Sequence, residues 1–215
     1  MEPHLENRER FANATTHGLG LALSVAGAIV LISYSILHGS FWHIVACSVY
    51  AASLVLLYLS STLYHTFTAQ PHRRLFRILD HSAIYFLIAG TYTPFTMVSL
   101  RGRWGWTLLG VLWGLALCGV ALKFVVIGRF PAVSIAVYIL MGWMGIISVK
   151  PLLAAISLRG FLWVVAGGIF YTGGVLFYRA KTMPYSHAIW HLFVMGGSAC
   201  HYFAVVFYVL PHPSS

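Results

Sequence analysis

Two histidines, His187 and His191, stand four residues apart in the segment SHAIWHLFVMGGSACH at positions 186–201. On an α-helix, residues at this spacing lie on one face about one turn apart. Imidazole is a common metal ligand, and two imidazoles on one helical face can bind a single ion. Histidine pairs of this spacing also occur in packed cores, so the pair alone is compatible with either role.

Two further segments contain polar residues within apolar sequence. Ser61 and His65 stand four residues apart at the end of LYLSSTLYH, and Asp80 opens LDHSAIYFLIAGTYTP. The chain has four acidic residues and three of them precede position 10, so Asp80 is the only carboxylate in the apolar region. A carboxylate inside a membrane span costs about 2.5–3.5 kcal/mol on insertion scales, and such residues usually have a partner and a function. The alternative is a helix N-terminal residue that faces the positive end of the helix dipole and pairs with Arg77.

The composition is that of a membrane protein. Of 215 residues, 60% are hydrophobic and 8% are charged, whereas soluble domains carry about a quarter charged residues. Apolar runs long enough to cross a bilayer recur, and helices are the default because lipid cannot satisfy free backbone groups. The predicted spans are 18–37, 41–64, 80–100, 104–122, 130–149, 161–178 and 186–210.

The connections between these spans are short, and neither a linker nor a repeat interrupts them. We therefore expect a single domain over residues 1–215, an all-α polytopic bundle of seven transmembrane helices. Residues 1–17 are interpreted as a cytoplasmic lead-in, a short interfacial helix or turn. Asn13 and His17 would share a face of such a helix, but a membrane-surface role is favoured for both.

The formal charge of +9 suggests nucleic acid, but the positive-inside rule explains it better, so no nucleic-acid partner is expected. With a cytoplasmic amino terminus, nine basic residues lie on the inner side and four on the outer side, which accounts for all 13. The inner set comprises Arg8, Arg10, Arg73, Arg74, Arg77, Lys123, Arg129, Arg179 and Lys181, and the outer set Arg101, Arg103, Lys150 and Arg159. Seven spans then place the carboxyl terminus outside.

This topology predicts where the polar residues meet. The second helix ends at the inner face, while the third and seventh begin there, so His65, His187 and His191 share one depth with Asp80 and Ser61. His201 lies fourteen residues after His187, about 21 Å along a helix axis. It cannot reach the same ion, and we expect it to bond a neighbouring helix.

Three imidazoles with an open fourth position are typical of a catalytic zinc site. Zinc suits imidazole, whereas magnesium and calcium prefer more oxygen ligands. Zinc lowers the pKa of a bound water to about 7. In such a site Asp80 would orient that water or accept its proton, and Ser61 would hold the water or a substrate oxygen.

The segments SSTLYH, LDHSAIYFLIAGTYTP and SHAIWH, in this order, resemble the hemolysin III proteins of the progestin and adipoQ receptor group, whose superfamily includes alkaline ceramidases. The lead-in ERFANATTHG also resembles that family's segment before its first helix. The resemblance implies seven helices, a cytoplasmic amino terminus and a zinc ion on the histidines matching His65, His187 and His191. It places the residues matching Ser61 and Asp80 beside the metal. The long amino-terminal domain of adiponectin receptors is lacking, so hormone reception is not implied.

Three functions follow as hypotheses. The leading one is a zinc-dependent hydrolase, ceramidase-like, that cleaves an amide or ester bond of a membrane lipid. The second is a receptor or membrane-homeostasis sensor in which zinc is structural and the lipid is a ligand. The third is the cytolytic activity that the family name suggests, for which a compact bundle offers no amphipathic pore-forming excess. The expected location is a bacterial inner (plasma) membrane.

Two features predict packing. In the fourth span, Gly110 and Gly114 have the spacing that lets membrane helices approach closely. A similar packing role is expected in the sixth span for Gly167, Gly168, Gly173 and Gly174. Pro94 is expected to kink the third helix.

Overall fold

The computed structural model describes residues 3–126, 129–180 and 182–211, and the regular structure in these ranges is helical throughout. The α-helices are α1 (Pro3–His38), α2 (Phe41–Thr66), α3 (His72–Pro94), α4 (Arg103–Val126), α5 (Pro131–Trp143), α6 (Val149–Arg179) and α7 (Ser186–Tyr208). A π-helical turn, Phe95–Ser99, follows α3, and a 3₁₀ turn, Met144–Ser148, joins α5 to α6. The prediction of an all-helical architecture is confirmed.

Five stretches within the described ranges are long and apolar enough to cross a membrane. They are His4–His38, Phe41–Thr66, Arg103–Val125, Pro131–Arg179 and Ser186–Tyr208. The stretch Pro131–Arg179 has 49 residues, more than twice the roughly 20 that one crossing needs. α3 is outside this set, and its arginines and Asp80 lower its mean hydropathy. The fold is therefore an integral membrane helix bundle, and seven crossings stay a prediction.

The lead-in is helical but is not a separate element. α1 runs without a break for 36 residues, about 54 Å, which exceeds the roughly 30 Å of a bilayer core. The polar first half of α1 therefore continues along the axis of the first apolar span. The direction of that span decides which helices the polar half contacts.

α3 also begins earlier than the apolar sequence indicates. It starts at His72, so Asp80 lies about two turns inside the helix, beyond the reach of the terminal dipole. The ion-pair contact that Asp80 makes among the described residues is with His81 rather than Arg77. The helix-terminus interpretation of Asp80 is therefore wrong. Pro94 ends α3, and the predicted kink is a change from α-helix to π-helix.

α6 starts at Val149 rather than near residue 161, and it contains a break at Ser157, whose φ of 59° is not helical. Lys150 and Arg159 therefore lie on helix on either side of that break. Lys181 and residues 212–215, which belong to the predicted charge pattern and carboxyl terminus, lie outside the described residues.

The core consists of two apolar clusters. The larger one is built around α2 and α7 and contains Tyr50, Leu54, Leu57, Ala204 and Val205, each at most 4% exposed. The smaller one lies between α3, α4 and α5 and contains Tyr85, Ala89, Leu112 and Met141. α1 packs mainly on α2, α2 on α3, and α6 on α7, and α7 also packs on α1, which closes the bundle.

The predictions that glycines allow close helix contacts have different outcomes in α6 and α4. A Cβ added at Gly167 would lie 2.5 Å from Nε2 of His201, so this glycine lets α6 approach α7 closely. Gly174 does the same beside Trp190 and Phe193. Gly110 and Gly114 have nothing within 4 Å of an added Cβ and are exposed, so the prediction that they mediate a helix contact is wrong within this chain.

Candidate metal centre

The end of α2 and the start of α7 bring three histidines together. One ring nitrogen from each of His65, His187 and His191 lies within 4.8 Å of the other two. The ring centroids are 5.0 Å apart for His65 and His187, 5.1 Å for His65 and His191, and 4.6 Å for His187 and His191. The predicted meeting of these helices at one depth is therefore observed, and the cluster could hold a metal ion.

The surroundings of the rings fit a metal. Nε2 of His65 is buried and has no hydrogen-bond partner within the described part of the chain. A buried nitrogen without a partner is unfavourable, and a coordinated cation would satisfy it. The donors are three imidazoles, a set that suits zinc and other late first-row divalent ions better than magnesium or calcium.

Thr16 of α1 sets the orientation of His191. Its hydroxyl oxygen lies 3.0 Å from Nδ1 of His191, and 2.9 Å and 3.0 Å from the carbonyl oxygens of Ala12 and Asn13. Because the single hydroxyl proton goes to a carbonyl, the oxygen accepts the Nδ1 proton of His191. The tautomer assigned in this way leaves Nε2 with its lone pair free for a metal, as is usual for liganding histidines.

His17, one residue later, stacks on His191. The ring centroids are 3.5 Å apart and the planes differ by 17°. His17 is 4% exposed and Asn13 is 8% exposed, so the membrane-surface role expected for both is wrong. The cause is the unbroken course of α1, which carries its polar face against the start of α7.

Glu9 extends this contact by one more turn. Its Oε1 accepts a hydrogen bond of 2.8 Å from the backbone N–H of Tyr185, the residue directly before α7. Glu9, Asn13 and His17 follow one another at intervals of four residues, which is the helical-face signal that would have identified them.

Ser61 and Asp80 line one cavity with His187 and His191, and its volume is about 590 Å³. Ser61 is 1% exposed and stands one turn before His65 on α2. Oδ2 of Asp80 lies 3.4 Å from Nδ1 of His81, which donates a hydrogen bond of 2.9 Å to the carbonyl of Arg77. Asp80 is not a member of the three-histidine cluster.

The remaining walls of the cavity are largely apolar and come from α3, α5, α6 and α7. Residues that form them include Ile84, Leu87, Ile139, Leu152, Phe161, Val165 and Val194. His201 lines the part away from the cluster, and its Nε2 lies 3.0 Å from the carbonyl oxygen of Val164 on α6. The predicted bond from His201 to a neighbouring helix is confirmed.

The chain is similar to known proteins along most of its length. A family model described as "Haemolysin-III related" matches residues 6–202. Hemolysin-3 of Bacillus cereus is 49% identical over 96% of this chain and 94% of its own length. The Hemolysin-3 homolog of Bacillus subtilis (strain 168) is 48% identical over 96% and 97%. The human Monocyte to macrophage differentiation factor is 28% identical over 96% of this chain and 87% of its own.

Proposed function

Because the chain belongs to the haemolysin-III related family of membrane proteins, we propose that it is a zinc-dependent hydrolase of a membrane lipid amide or ester. The observation that carries this proposal is the position of the three-histidine cluster. It lies at the wall of a largely apolar cavity that also contains a carboxylate and a serine. In this proposal His65, His187 and His191 hold the zinc ion.

Bound zinc would supply Lewis-acid chemistry, polarising a carbonyl oxygen and making water more acidic. The carboxylate of Asp80 accepts a proton or orients the attacking water, since it lines the same cavity and is not one of the three ligands. The hydroxyl of Ser61 donates to a substrate or water oxygen one turn from His65. Thr16 keeps the ring of His191 in the liganding orientation.

The apolar walls support a lipid as the substrate class. A cavity of about 590 Å³ is within the range of small-molecule sites, and its lining suits an acyl chain. A lipid whose chain occupies the apolar part would present its carbonyl group to Asp80 and the histidines. The walls also keep bulk water away from the reacting bond.

The proposal includes an orientation and a location. Seven crossings with a cytoplasmic amino terminus put the histidine cluster near the cytoplasmic face, where nine of the 13 basic residues are expected. The Bacillus relatives favour a bacterial plasma membrane.

The first experiment separates a catalytic from a structural metal. Purified protein should contain about one zinc per chain, and His187→Ala and His191→Ala should lose it. Asp80→Asn should keep the zinc but lower lipid hydrolysis about 10²–10⁴-fold, because the amide cannot accept a proton. His65→Ala should lose both zinc and activity. The assay is fatty-acid release from a panel of ceramides, phospholipids and acyl-amides, with zinc content measured on the same samples.

Zinc-loaded protein that hydrolyses no lipid in this panel would favour the alternative, a receptor or membrane-homeostasis sensor with structural zinc. Asp80→Asn would then affect cells only as far as it lowers thermal stability. The name of the Bacillus cereus relative favours a third function, cytolysis. Release of dye from liposomes by the purified protein, undiminished in Asp80→Asn and His65→Ala, would support that function over hydrolysis.

A further inference from the structure

A buried lysine lies in the wall of the same cavity. Lys123, near the end of α4, is only 6% exposed. Its Nζ donates a hydrogen bond of 2.6 Å to Oγ of Ser134 and lies 5.7 Å from the ring centroid of Tyr138, both on α5. All three residues line the cavity that contains Asp80, Ser61 and His187. The ammonium group carries three donors, and the bond to Ser134 uses one.

Within the described residues, no carboxylate is paired with this lysine. Asp80 is the only acidic residue after position 9, and among the described residues its ion-pair contact is with His81. Glu9 bonds the backbone of Tyr185 at the start of α7. Lysine is rarely buried unless it is paired, and ionisable groups inside membrane helices generally mark functional sites.

A second positive charge lies nearby. Arg77 of α3 lines the same cavity as Lys123. Two like charges that share a largely apolar cavity are unfavourable, and an anion placed beside them would relieve the repulsion.

Snorkelling does not account for Lys123. A lysine near the end of a membrane helix usually extends its amine outward to the interface. Here the amine is directed toward Ser134 and Tyr138, and almost none of the side chain is exposed. The position of the amine indicates a ligand inside the cavity.

We propose that Arg77 and Lys123 bind the phosphate head group of an anionic lipid whose acyl chain occupies the apolar part of the cavity. The inference rests on the proposed function and names the class of its lipid. The lipid carbonyl would lie between the head group and the chain, beside Asp80 and the histidine cluster. Ser134 and Tyr138 would hold the amine of Lys123 in position.

Binding to zinc-loaded, full-length protein tests this site. The probes are dioctanoyl phosphatidic acid, dioctanoylglycerol with the same chains but no phosphate, and inorganic phosphate. We expect phosphatidic acid to bind about tenfold or more tightly than dioctanoylglycerol, because dioctanoylglycerol lacks the phosphate that accepts charge-assisted hydrogen bonds. Lys123→Met should abolish the preference and Lys123→Arg should keep it. Arg77→Gln, at an exposed position that tolerates change, should reduce it.

The matched control is Lys150→Met, which removes the same charge from an exposed position on α6 and should leave the preference intact. Equal binding of the two lipids, or a preference that survives both Lys123→Met and Arg77→Gln, would overturn the inference. Inorganic phosphate that binds as tightly as phosphatidic acid, with the same dependence on Lys123, would also overturn it, because the site would then serve a free anion.

Hydrolysis separates this inference from the proposed function. A preference for phosphatidic acid in zinc-loaded protein that turns over no lipid supports the anion site at Arg77 and Lys123 and refutes the enzyme. Zinc-dependent hydrolysis that is equally fast for neutral and anionic lipids with matched chains supports the enzyme and refutes the anion site.

Discussion

Among the three clustered histidines, His191 has the most defined surroundings, since Thr16 hydrogen-bonds its Nδ1 and His17 stacks on its ring. A ring whose tautomer and orientation are fixed before the metal arrives loses less conformational entropy when it binds. Partners of this kind are worth about 10–100-fold in metal affinity in known sites. Thr16 therefore belongs to the candidate metal centre although it is not one of the three clustered histidines.

Thr16→Val removes the hydroxyl and nearly keeps the side-chain volume. We expect it to weaken zinc binding about 10–100-fold, measured by competition with a chromophoric chelator. Thr16→Ser should restore the affinity, and the visible spectrum of bound Co²⁺ should change in Thr16→Val alone. The control is Thr15→Val, because Thr15 is the exposed neighbour on the same helix. Equal affinities of Thr15→Val and Thr16→Val would show that the hydroxyl plays no part.

The sequence was sufficient to predict His65, His187 and His191, because two four-residue spacings and one charge count place them at a common depth. It was insufficient for Thr16 and His17. A threonine in a helix ordinarily bonds its own backbone, as Thr16 also does, and a histidine in a polar lead-in is ordinarily solvated. Their roles depend on contacts across 175 and 174 positions of the chain, which only the packing of α1 against α7 creates.

At the scale of elements, the pairing of α6 with α7 depends on glycine. The ring of His201 lies over Gly167, and an added methyl group would collide with Nε2, which bonds the carbonyl of Val164. Overpacking of this kind typically costs about 1–3 kcal/mol. Gly110 of α4 is a matched glycine, because a Cβ added there would meet nothing within 4 Å.

We expect Gly167→Ala to lower the thermal melting temperature in detergent, because His201 must move and its bond to α6 is lost. Gly110→Ala should leave the melting temperature unchanged or slightly raised, since alanine has the better helix propensity and meets nothing within 4 Å. A Gly167→Ala protein that melts with the wild type would show that the two helices are not held by this contact.

An apolar pattern does not predict where a helix begins and ends. Apolar runs mark the part of a helix that lipid covers, so the basic first turns of α3 and the polar half of α1 fell outside the predicted spans. The sequence signal for Gly110 and Gly114 was as strong as that for Gly167. Spacing indicates that a close approach is possible, whereas only the neighbouring helix decides whether one occurs.

At the scale of the whole molecule, the histidine cluster requires alternating helices. His65 lies at the end of α2 while Asp80 and His187 lie near the starts of α3 and α7, so α2 must run opposite to the other two. The structure shows this arrangement, and the charge pattern predicts its sidedness. The basic residues Arg77 and Lys123 line the same cavity as this cluster.

We therefore expect the amino terminus in the cytoplasm and the carboxyl terminus outside. Reporters that are active only in the cytoplasm and reporters active only outside, fused in turn to each end, would measure this directly. Reversal of the inner charges Arg73, Arg74 and Arg77 to glutamate should lower the fraction of molecules with a cytoplasmic amino terminus. The same change at the outer Arg101 and Arg103 should not lower it. Both termini on one side would require an even number of crossings and refute the seven-span topology. An external amino terminus would move the histidines and the anion site to the outer face, so that a substrate would have to come from the outer leaflet.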